Sequence, residues 1–150
     1  MFITDTSGNF KTGNLFYNKE THEFISTPSL NSDITFLVGY INIGFDSETK
    51  TATQVWGFHH DFNWMEKRID LPEIVKGTIE LNSDVKPGES IRIKESSSWK
   101  TYFDNESGWV RFGLDKDFSE TTLVEFFTDT VAEIDEAGNL VSLLLKPVFN

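Results

Sequence analysis

Turn-forming residues recur at short intervals along this chain, and they separate segments that are rich in β-branched and aromatic residues. Five pairs of such segments have the pattern of β-hairpins. The pairs are residues 14–18 with 22–27, 35–45 with 51–60, 76–81 with 90–94, 99–103 with 108–113, and 123–134 with 140–146. The third loop contains Pro87-Gly88, which suits a type II turn because proline fixes φ and glycine accepts a positive φ. This spacing predicts an antiparallel meander.

The composition also favours strands. Phenylalanine accounts for 14 of the 150 residues, and aromatic residues are enriched in strands. Two segments are alternatively compatible with short helices: residues 61–70, and a segment that Ser119 would cap at its N-terminus. We therefore predict an all-β or β-dominated α+β fold, an antiparallel meander closed as a barrel or folded as a sandwich, with at most one or two short helices.

The length of the chain predicts one β-rich domain that spans residues 1–150, because a chain of this size buries enough surface for a core of its own. Cysteine is absent, which excludes disulfides and thiolate zinc sites. No segment approaches the roughly 18 apolar residues of a membrane span, and the first residues lack the pattern of a secretory signal. We expect a cytoplasmic protein without a membrane partner.

Negative charge is concentrated in one part of the sequence. The net charge is −11, and residues 104–136 contain ten acidic residues against only two basic ones, Arg111 and Lys116. Such a surface repels nucleic acids and anionic lipids, and it favours a basic protein partner or simple solubility. We therefore predict no nucleic-acid partner. No pattern in the sequence predicts an oligomeric state.

The second hairpin predicts a candidate ligand site if Phe45 pairs with Thr51. In that register Gly39 opposes Gly57, which leaves a gap in the side-chain layer where a bulky residue or a ligand could approach the backbone. One face then combines apolar walls with polar groups, as small-ligand cavities do. Its members are Tyr40, Asn42, Gln54 and Trp56. The same face is equally compatible with an ordinary core that has a polar end.

The fourth hairpin predicts a second candidate surface. Pairing Phe103 with Gly108 sends Trp99 to the core and sets Tyr102 beside Trp109 on the opposite face, which is a contact site if exposed and packing if covered. With the acidic segment, we predict a partner-binding surface. Its members are Tyr102, Trp109, Asp115, Asp117, Glu120, Asp129 and Glu133. Alternatively, these acids only prevent strands from pairing between molecules.

Metal and catalytic signals are weak. His59 and Asp61 point the same way on a strand, but His22 is the only other histidine apart from His60, and a metal site needs further ligands. There is no Gly-x-Ser-x-Gly motif, and no glycine pair with the spacing of a phosphate-binding loop is followed by Lys-Ser or Lys-Thr. We predict no metal, no cofactor and no catalytic residue.

Three functional hypotheses follow. The first is a small, non-catalytic cytoplasmic binding protein whose acidic surface acts on a protein partner, in the manner of an inhibitor or immunity protein. The second is a barrel or sandwich that binds a small apolar or sugar-like ligand in an aromatic-lined cavity. The third is a carboxylate-dependent hydrolase, because glycosidase chemistry needs only two carboxyl groups at a suitable separation and the chain has 24 acidic residues.

Overall fold

The computed structural model describes residues 1–150, which form sixteen strands and one 3₁₀ helix, Lys94–Ser98. The strands are β1 Phe2–Asp5, β2 Asn14–Asn18, β3 Glu23–Thr27, β4 Ile34–Val38, β5 Ile41–Phe45, β6 Ala52–Phe58, β7 Met65–Glu66, β8 Ile74–Lys76, β9 Thr78–Leu81, β10 Ser90–Arg92, β11 Lys100–Phe103, β12 Val110–Gly113, β13 Thr121–Phe127, β14 Thr130–Asp135, β15 Leu140–Leu145 and β16 Val148–Phe149. No helix has the length and apolar character needed to cross a membrane.

Fourteen of the strands form two seven-stranded sheets. The first sheet has the order β10-β4-β5-β6-β3-β2-β16, and the second has the order β7-β11-β12-β15-β14-β13-β8. Strands β1 and β9 form a separate antiparallel ribbon. Both sheets keep open edges, and the short strands β10, β16, β7 and β8 pair in parallel at those edges. The prediction of an all-β fold is confirmed, and of its two forms the chain adopts the sandwich and not the closed barrel.

The core lies between the two sheets because the strands alternate apolar and polar side chains with the period of two that the pleat imposes. In β4, for example, Ile34, Phe36 and Val38 are fully buried, whereas the side chains between them are partly exposed. The main apolar cluster contains 27 buried residues drawn from both sheets and the ribbon. Burying each large apolar side chain contributes about 1.5 to 3 kcal/mol, so this layer holds the two sheets together.

The outer face of the second sheet is also covered. Leu123, Val131 and Leu144 point away from the main core and form a second apolar cluster. Side chains from the connecting segments pack over them, namely Ile69, Leu71, Ile74, Trp109 and Phe118. The second sheet is therefore buried on both faces over part of its area, although no third sheet lies against it.

The predicted hairpins are right in part. Strands β2 and β3, β5 and β6, β11 and β12, and β14 and β15 pair as antiparallel neighbours. The predicted strand 35–45 instead folds back at Gly39, whose φ is 59°, and gives the hairpin β4–β5. The predicted strand 123–134 turns in the same way at Asp129, whose φ is 57°, and gives β13–β14.

The third predicted hairpin is wrong. Strand β9 pairs with β1, and β10 pairs in parallel with β4. The loop that holds Pro87-Gly88 therefore connects the ribbon to the first sheet and does not join two paired strands. Neither alternative helix forms, because residues 61–70 contain the short strand β7 and the segment after Ser119 is strand β13. Each of these segments is pinned by a partner that is distant in sequence, which overrides its local preference.

Candidate binding cleft

A cleft of about 760 Å³ is lined by residues of both sheets. The first sheet contributes the β4–β5 turn, the end of β6 and the end of β10, and the second sheet contributes β7, β11 and β12. The 3₁₀ helix lines the remaining side. This volume lies within the range of roughly 300 to 1,000 Å³ that is usual for small-molecule sites.

Five large apolar side chains form the walls of this cleft. They are Tyr40, Phe58, Met65, Trp99 and Phe112. Trp99 and Phe112 are buried and pack edge to face, with ring centroids 5.2 Å apart. Tyr40 and Phe58 are 68% and 42% exposed, with ring centroids 6.2 Å apart. The inner part of the cleft is thus rigid and apolar, whereas its rim presents two aromatic faces to solvent.

His59 lies in the cleft wall and is held by three hydrogen bonds. Its Nε2 lies 2.8 Å from Oγ1 of Thr101 in β11, its backbone N–H donates to the His22 carbonyl at 2.7 Å, and its carbonyl accepts from the Tyr17 hydroxyl at 2.6 Å. Burial, and secondarily the neighbouring His60, lowers the pKa of His59 from 6.5 to about 4. At neutral pH the ring is uncharged, which suits its edge contact with Phe112 at 4.7 Å.

Burial also acts on the residue beneath His59. It raises the pKa of the Tyr17 hydroxyl, with a smaller contribution from the negative charge of Asp61. Tyr17 is fully buried and therefore remains a neutral donor to the His59 carbonyl. The backbone at this end of β6 is fixed by these bonds, so the direction of the following residues into the cleft is fixed as well.

The polar groups of the cleft are cationic or neutral. Arg92, Lys100 and His60 line it together with Asn63 and Ser97, and no aspartate or glutamate does. Arg92 donates from Nη1 to the Gly39 carbonyl at 2.8 Å, which ties β10 to the β4–β5 turn. The His60 Nδ1 atom is buried and has no hydrogen-bond partner within the protein. A ligand in the cleft would therefore meet donors and cations and no fixed negative charge.

Aromatic rings continue beyond the cleft over the adjoining surface. His60 packs between Phe58, with centroids 6.1 Å apart, and Phe62, with centroids 5.3 Å apart. Phe62 is 78% exposed and also touches the edge of His22. Contiguous exposed aromatics are unusual on a soluble protein and mark interaction surfaces. Phe62 does not line the cleft, however, and thus offers a matched control for it.

The predicted ligand-binding residues do not form a single cavity. Phe45 pairs with Ala52 and not with Thr51, and a β-bulge between Ile43 and Phe45 shifts the register by one more residue, so that Asn42 pairs with Trp56 and not with Gln54. Gln54 is buried, accepts from the Leu30 N–H and donates to the Pro28 carbonyl, which makes it a structural residue. Trp56 lies beside it at a shallow surface hollow. Of the four residues, only Tyr40 lines the cleft.

The predicted gap between Gly39 and Gly57 is filled. Gly57, with φ of 130°, pairs with Ile41 and packs against the carbonyl oxygen of Tyr40. The glycine at position 57 thus allows the close approach of the Tyr40 turn. The sequence correctly indicated that another group approaches the backbone closely at Gly57. That group is the chain's own Tyr40 carbonyl oxygen and not a ligand.

Two of the predicted partner-binding residues are buried. Tyr102 is 7% exposed and pairs with Arg111 on the covered face of the second sheet. Glu133 is 1% exposed and accepts from Arg111 Nη2 at 3.0 Å, from Thr121 and from Ser142. The segments with Ile69 and Phe118 cover the face that carries these two residues, so neither side chain is exposed on the protein surface.

The other predicted partner-binding residues reach the surface to different degrees. Asp115, Asp117 and Glu120 are exposed in the loop between β12 and β13. Asp115 forms an ion pair with Lys67. Trp109 is partly buried against the outer apolar cluster, and Asp129 is partly buried in the β13–β14 turn. The exposed part of the predicted surface is therefore the loop alone.

Several other acids of this segment serve the fold. The Asp104 carboxylate accepts from the backbone of Ile69 at 3.0 Å and of Glu106 and Ser107, and these bonds hold its pKa below the usual range. Asp135 accepts backbone bonds within the turn that follows β14. Part of the negative charge predicted for a partner is thus engaged in loop structure.

A second cleft of about 590 Å³ lies between residues 67–72 and the acidic loop. It contains both charge signs, with Lys67, Arg68 and Lys116 facing Asp70, Asp115 and Asp117. No group of three or more histidine or acidic side chains that could hold a metal ion comes together in the structure. His22 instead lies 3.3 Å from Asp61, from Nδ1 to Oδ1.

Sequence reasoning missed most of the cleft. Phe58, Arg92, Lys100 and the 3₁₀ helix come together through the parallel edge pairings β10–β4 and β11–β7, which leave no local pattern in the sequence. The available signal was that Phe58-His59-His60 and Trp99-Lys100-Thr101 each place aromatic and nitrogen-bearing polar residues at one end of a strand. The chain matches no protein-family model, and no curated protein matches it.

Proposed function

We propose that this protein is a binding protein that takes a small apolar, aromatic or sugar-like ligand into the cleft between the two sheets. The observation that carries the proposal is the composition of the cleft: rigid inner aromatics at Trp99 and Phe112, exposed rim aromatics at Tyr40 and Phe58, and polar groups between them. Apolar walls with a few orienting polar groups are the usual design of small-ligand sites.

The rim aromatics supply the main recognition element. Tyr40 and Phe58 expose ring faces at the mouth of the cleft, and aromatic rings stack on flat ligands and on the apolar faces of sugars. Keeping such large apolar side chains in water is unfavourable. Exposure of these two rings does not stabilise the fold. A ligand that covers them explains why they are exposed.

Binding without catalysis fits the polar groups near the cleft. The Ser96 hydroxyl donates to the Ile93 carbonyl and accepts from the Gly39 N–H, so it holds the wall in place. The hydrolase hypothesis requires a carboxyl with a raised pKa. The carboxyl groups with clearly altered pKa values, Asp5, Asp33 and Asp104, are all lowered, by hydrogen bonds from Ser7, Ser47 and Ile69 respectively.

The proposal is tested by ligand-observed NMR with a set of small aromatic compounds and simple sugars. We expect some of these compounds to bind the wild-type protein, and to bind Tyr40→Ala or Phe58→Ala about two- to tenfold more weakly, as removal of one stacking ring predicts. Phe62→Ala removes an even more exposed ring outside the cleft and should bind like the wild type. The proposal is contradicted if the affinities are the same in the wild type, Tyr40→Ala and Phe58→Ala, or if none of the compounds binds.

A second candidate function rests on the exposed acids Asp115, Asp117 and Glu120 in the β12–β13 loop. In this alternative the loop attracts a basic protein partner, as oppositely charged inhibitors attract theirs. The test is a pull-down with the wild type and with a variant that carries lysine at all three positions. Capture of a basic protein that is lost in the variant and at high salt supports this function, whereas salt-insensitive capture contradicts it.

A further inference from the structure

We infer that the ligand of this cleft carries a negative charge, as an aromatic carboxylate, sulfonate or phosphate does, and that Arg92 and Lys100 bind it. This inference rests on the proposed function, since it names the chemistry of the ligand for the same cleft. It is carried by the arrangement of charges around the cleft and by the contacts that position Arg92.

The charge of the cleft is opposite to that of the whole protein. The chain has 24 acidic residues against 13 basic ones, yet the cleft lining includes Arg92 and Lys100 and no acidic residue. The second cleft differs in this respect, because there four cations, Lys67, Arg68, Arg111 and Lys116, share the lining with three aspartates. Of these two large clefts, only the aromatic one is lined by cations without acids.

Arg92 is positioned for an anion at the rim. Its Nη1 donates to the Gly39 carbonyl at 2.8 Å, next to the residue that supplies the rim aromatic Tyr40. A guanidinium group has five N–H donors, and this bond uses one. The remaining donors lie on a group whose position is fixed by that bond, so they can bind a carboxylate or phosphate at little entropic cost.

Lys100 and His60 complete the polar part of the site. Lys100 is exposed at the start of β11, directly after Trp99, and its ammonium group has no ion-pair partner within the protein. The His60 Nδ1 lacks a hydrogen-bond partner. The acid nearest to His60 in sequence, Asp61, lies against His22. No internal carboxylate therefore neutralises the cations of the cleft.

The apolar walls strengthen this attraction. Trp99 and Phe112 are buried and form apolar, low-dielectric walls beside the cations, and walls of this kind focus the electric field of charges of one sign. The site has an apolar part, the aromatic walls, and a cationic part, Arg92 and Lys100. A ligand with a flat ring between the walls and an acidic group directed toward the cations contacts both parts. A neutral sugar or a purely apolar compound contacts only one part.

Two fluorescent probes separate charge from apolar contact. They are 8-anilinonaphthalene-1-sulfonate and N-phenyl-1-naphthylamine, which share the same rings and differ by one sulfonate group. We expect the sulfonate to bind the wild-type protein about tenfold more tightly than the neutral amine, because two partly exposed charges together contribute about one order of magnitude. Tyr40→Ala should weaken both probes, which locates them in the cleft.

Charge-removing variants identify the groups that bind the anion. In Arg92→Gln/Lys100→Gln the sulfonate should lose about tenfold in affinity, whereas the neutral amine should change less than twofold. Lys86→Gln/Lys116→Gln removes the same charge outside the cleft and should leave both probes unchanged. Arg92→Lys keeps the charge, and with it most of the sulfonate affinity, even though the bond to Gly39 is altered.

The outcomes distinguish the two proposals. If both probes bind in a Tyr40-dependent way but with equal affinity, and the double variant changes neither, the ligand is not an anion while the binding function stands. If neither probe depends on Tyr40, the cleft is not a binding site and both proposals are overturned. If the Lys86→Gln/Lys116→Gln control loses as much sulfonate affinity as Arg92→Gln/Lys100→Gln does, Arg92 and Lys100 are not the groups that bind the anion.

Discussion

His59 Nε2 and Thr101 Oγ1 lie 2.8 Å apart, and this contact joins the two sheets at the wall of the cleft. His59 follows β6 in the first sheet, whereas Thr101 belongs to β11 in the second. The contact holds together two walls that come from different parts of the chain. Because His59 is neutral in the folded protein, the link is sensitive to acid.

We predict that the protein loses stability as the pH falls from 6.5 toward 4. Burial lowers the pKa of His59 from 6.5 to about 4, so in this window the unfolded chain binds a proton that the folded protein does not. The contribution is fully present above pH 6.5. Between pH 6.5 and pH 5 the free energy of unfolding should fall by about 2 kcal/mol, at about 1.4 kcal/mol per pH unit. Urea unfolding at the two pH values measures it.

His59→Gln is the matched control for this pH effect. Glutamine keeps a polar side chain of similar reach but does not titrate, so the variant should show a smaller stability difference between pH 6.5 and pH 5. The carboxyl groups with lowered pKa values, such as Asp33, act below this window, since their contribution is lost only as the pH falls through their folded values. Equal pH slopes in wild type and variant would contradict the role of His59.

Removing the Tyr17 hydroxyl should weaken the same end of the cleft. Tyr17 is fully buried and donates to the His59 carbonyl at 2.6 Å. Tyr17→Phe preserves the ring packing but leaves that carbonyl without this donor, which costs about 1 to 3 kcal/mol. Denaturant unfolding gives the change in stability. A neutral effect would mean that water or another donor replaces the hydroxyl.

The buried ion pair between Arg111 and Glu133 predicts strong coupling. The side chains are 9% and 2% exposed, and Arg111 also donates to the Lys116 carbonyl and stacks over Phe118, with its Cζ atom 3.9 Å from the ring centroid. Arg111→Met or Glu133→Leu alone leaves an unpaired buried charge and should cost about 3 to 5 kcal/mol.

The double variant Arg111→Met/Glu133→Leu tests this coupling. Because it leaves no isolated charge, it should be more stable than the sum of the two single changes predicts. A double-mutant cycle in urea measures the difference directly. Additive effects would show that the two residues contribute separately, through packing and through their other hydrogen bonds.

The sequence predicted the fold class because strand periodicity and turn residues are local signals. The β2–β3 and β14–β15 hairpins follow from such signals. The break at Tyr40 was missed, because Gly39 and Tyr40 also fit a continuous strand. The pairing of β9 with β1 was missed too, since nothing near residues 78–81 indicates a partner at the other end of the sequence.

The candidate site was less predictable than the fold. Tyr40 was assigned to a ligand site on a register that is wrong by two residues at Asn42, because the turn after Phe45 and the bulge near Ile43 each shift the pairing by one residue. Glu133 was assigned to the surface by its charge, although its partner Arg111 lies 22 residues away in sequence. Sites formed by residues of distant strands depend on pairings that local patterns do not encode.

Gly57→Ala should destabilise the rim of the cleft more than an ordinary glycine substitution does. Gly57 has a φ of 130°, and a Cβ atom there would collide with the Tyr40 carbonyl oxygen. Strain and displacement of the β4–β5 turn should together cost about 2 to 4 kcal/mol. Gly88→Ala, at φ of 88° with open space around the new atom, isolates the backbone strain and should cost about 1 kcal/mol. Urea unfolding gives the free energy of unfolding of the two variants. If both lose the same amount of stability, the Tyr40 turn moves away from the new Cβ atom without an energetic cost. If the turn moves, Gly57→Ala should also bind the two naphthalene probes more weakly, whereas Gly88→Ala should bind them like the wild type.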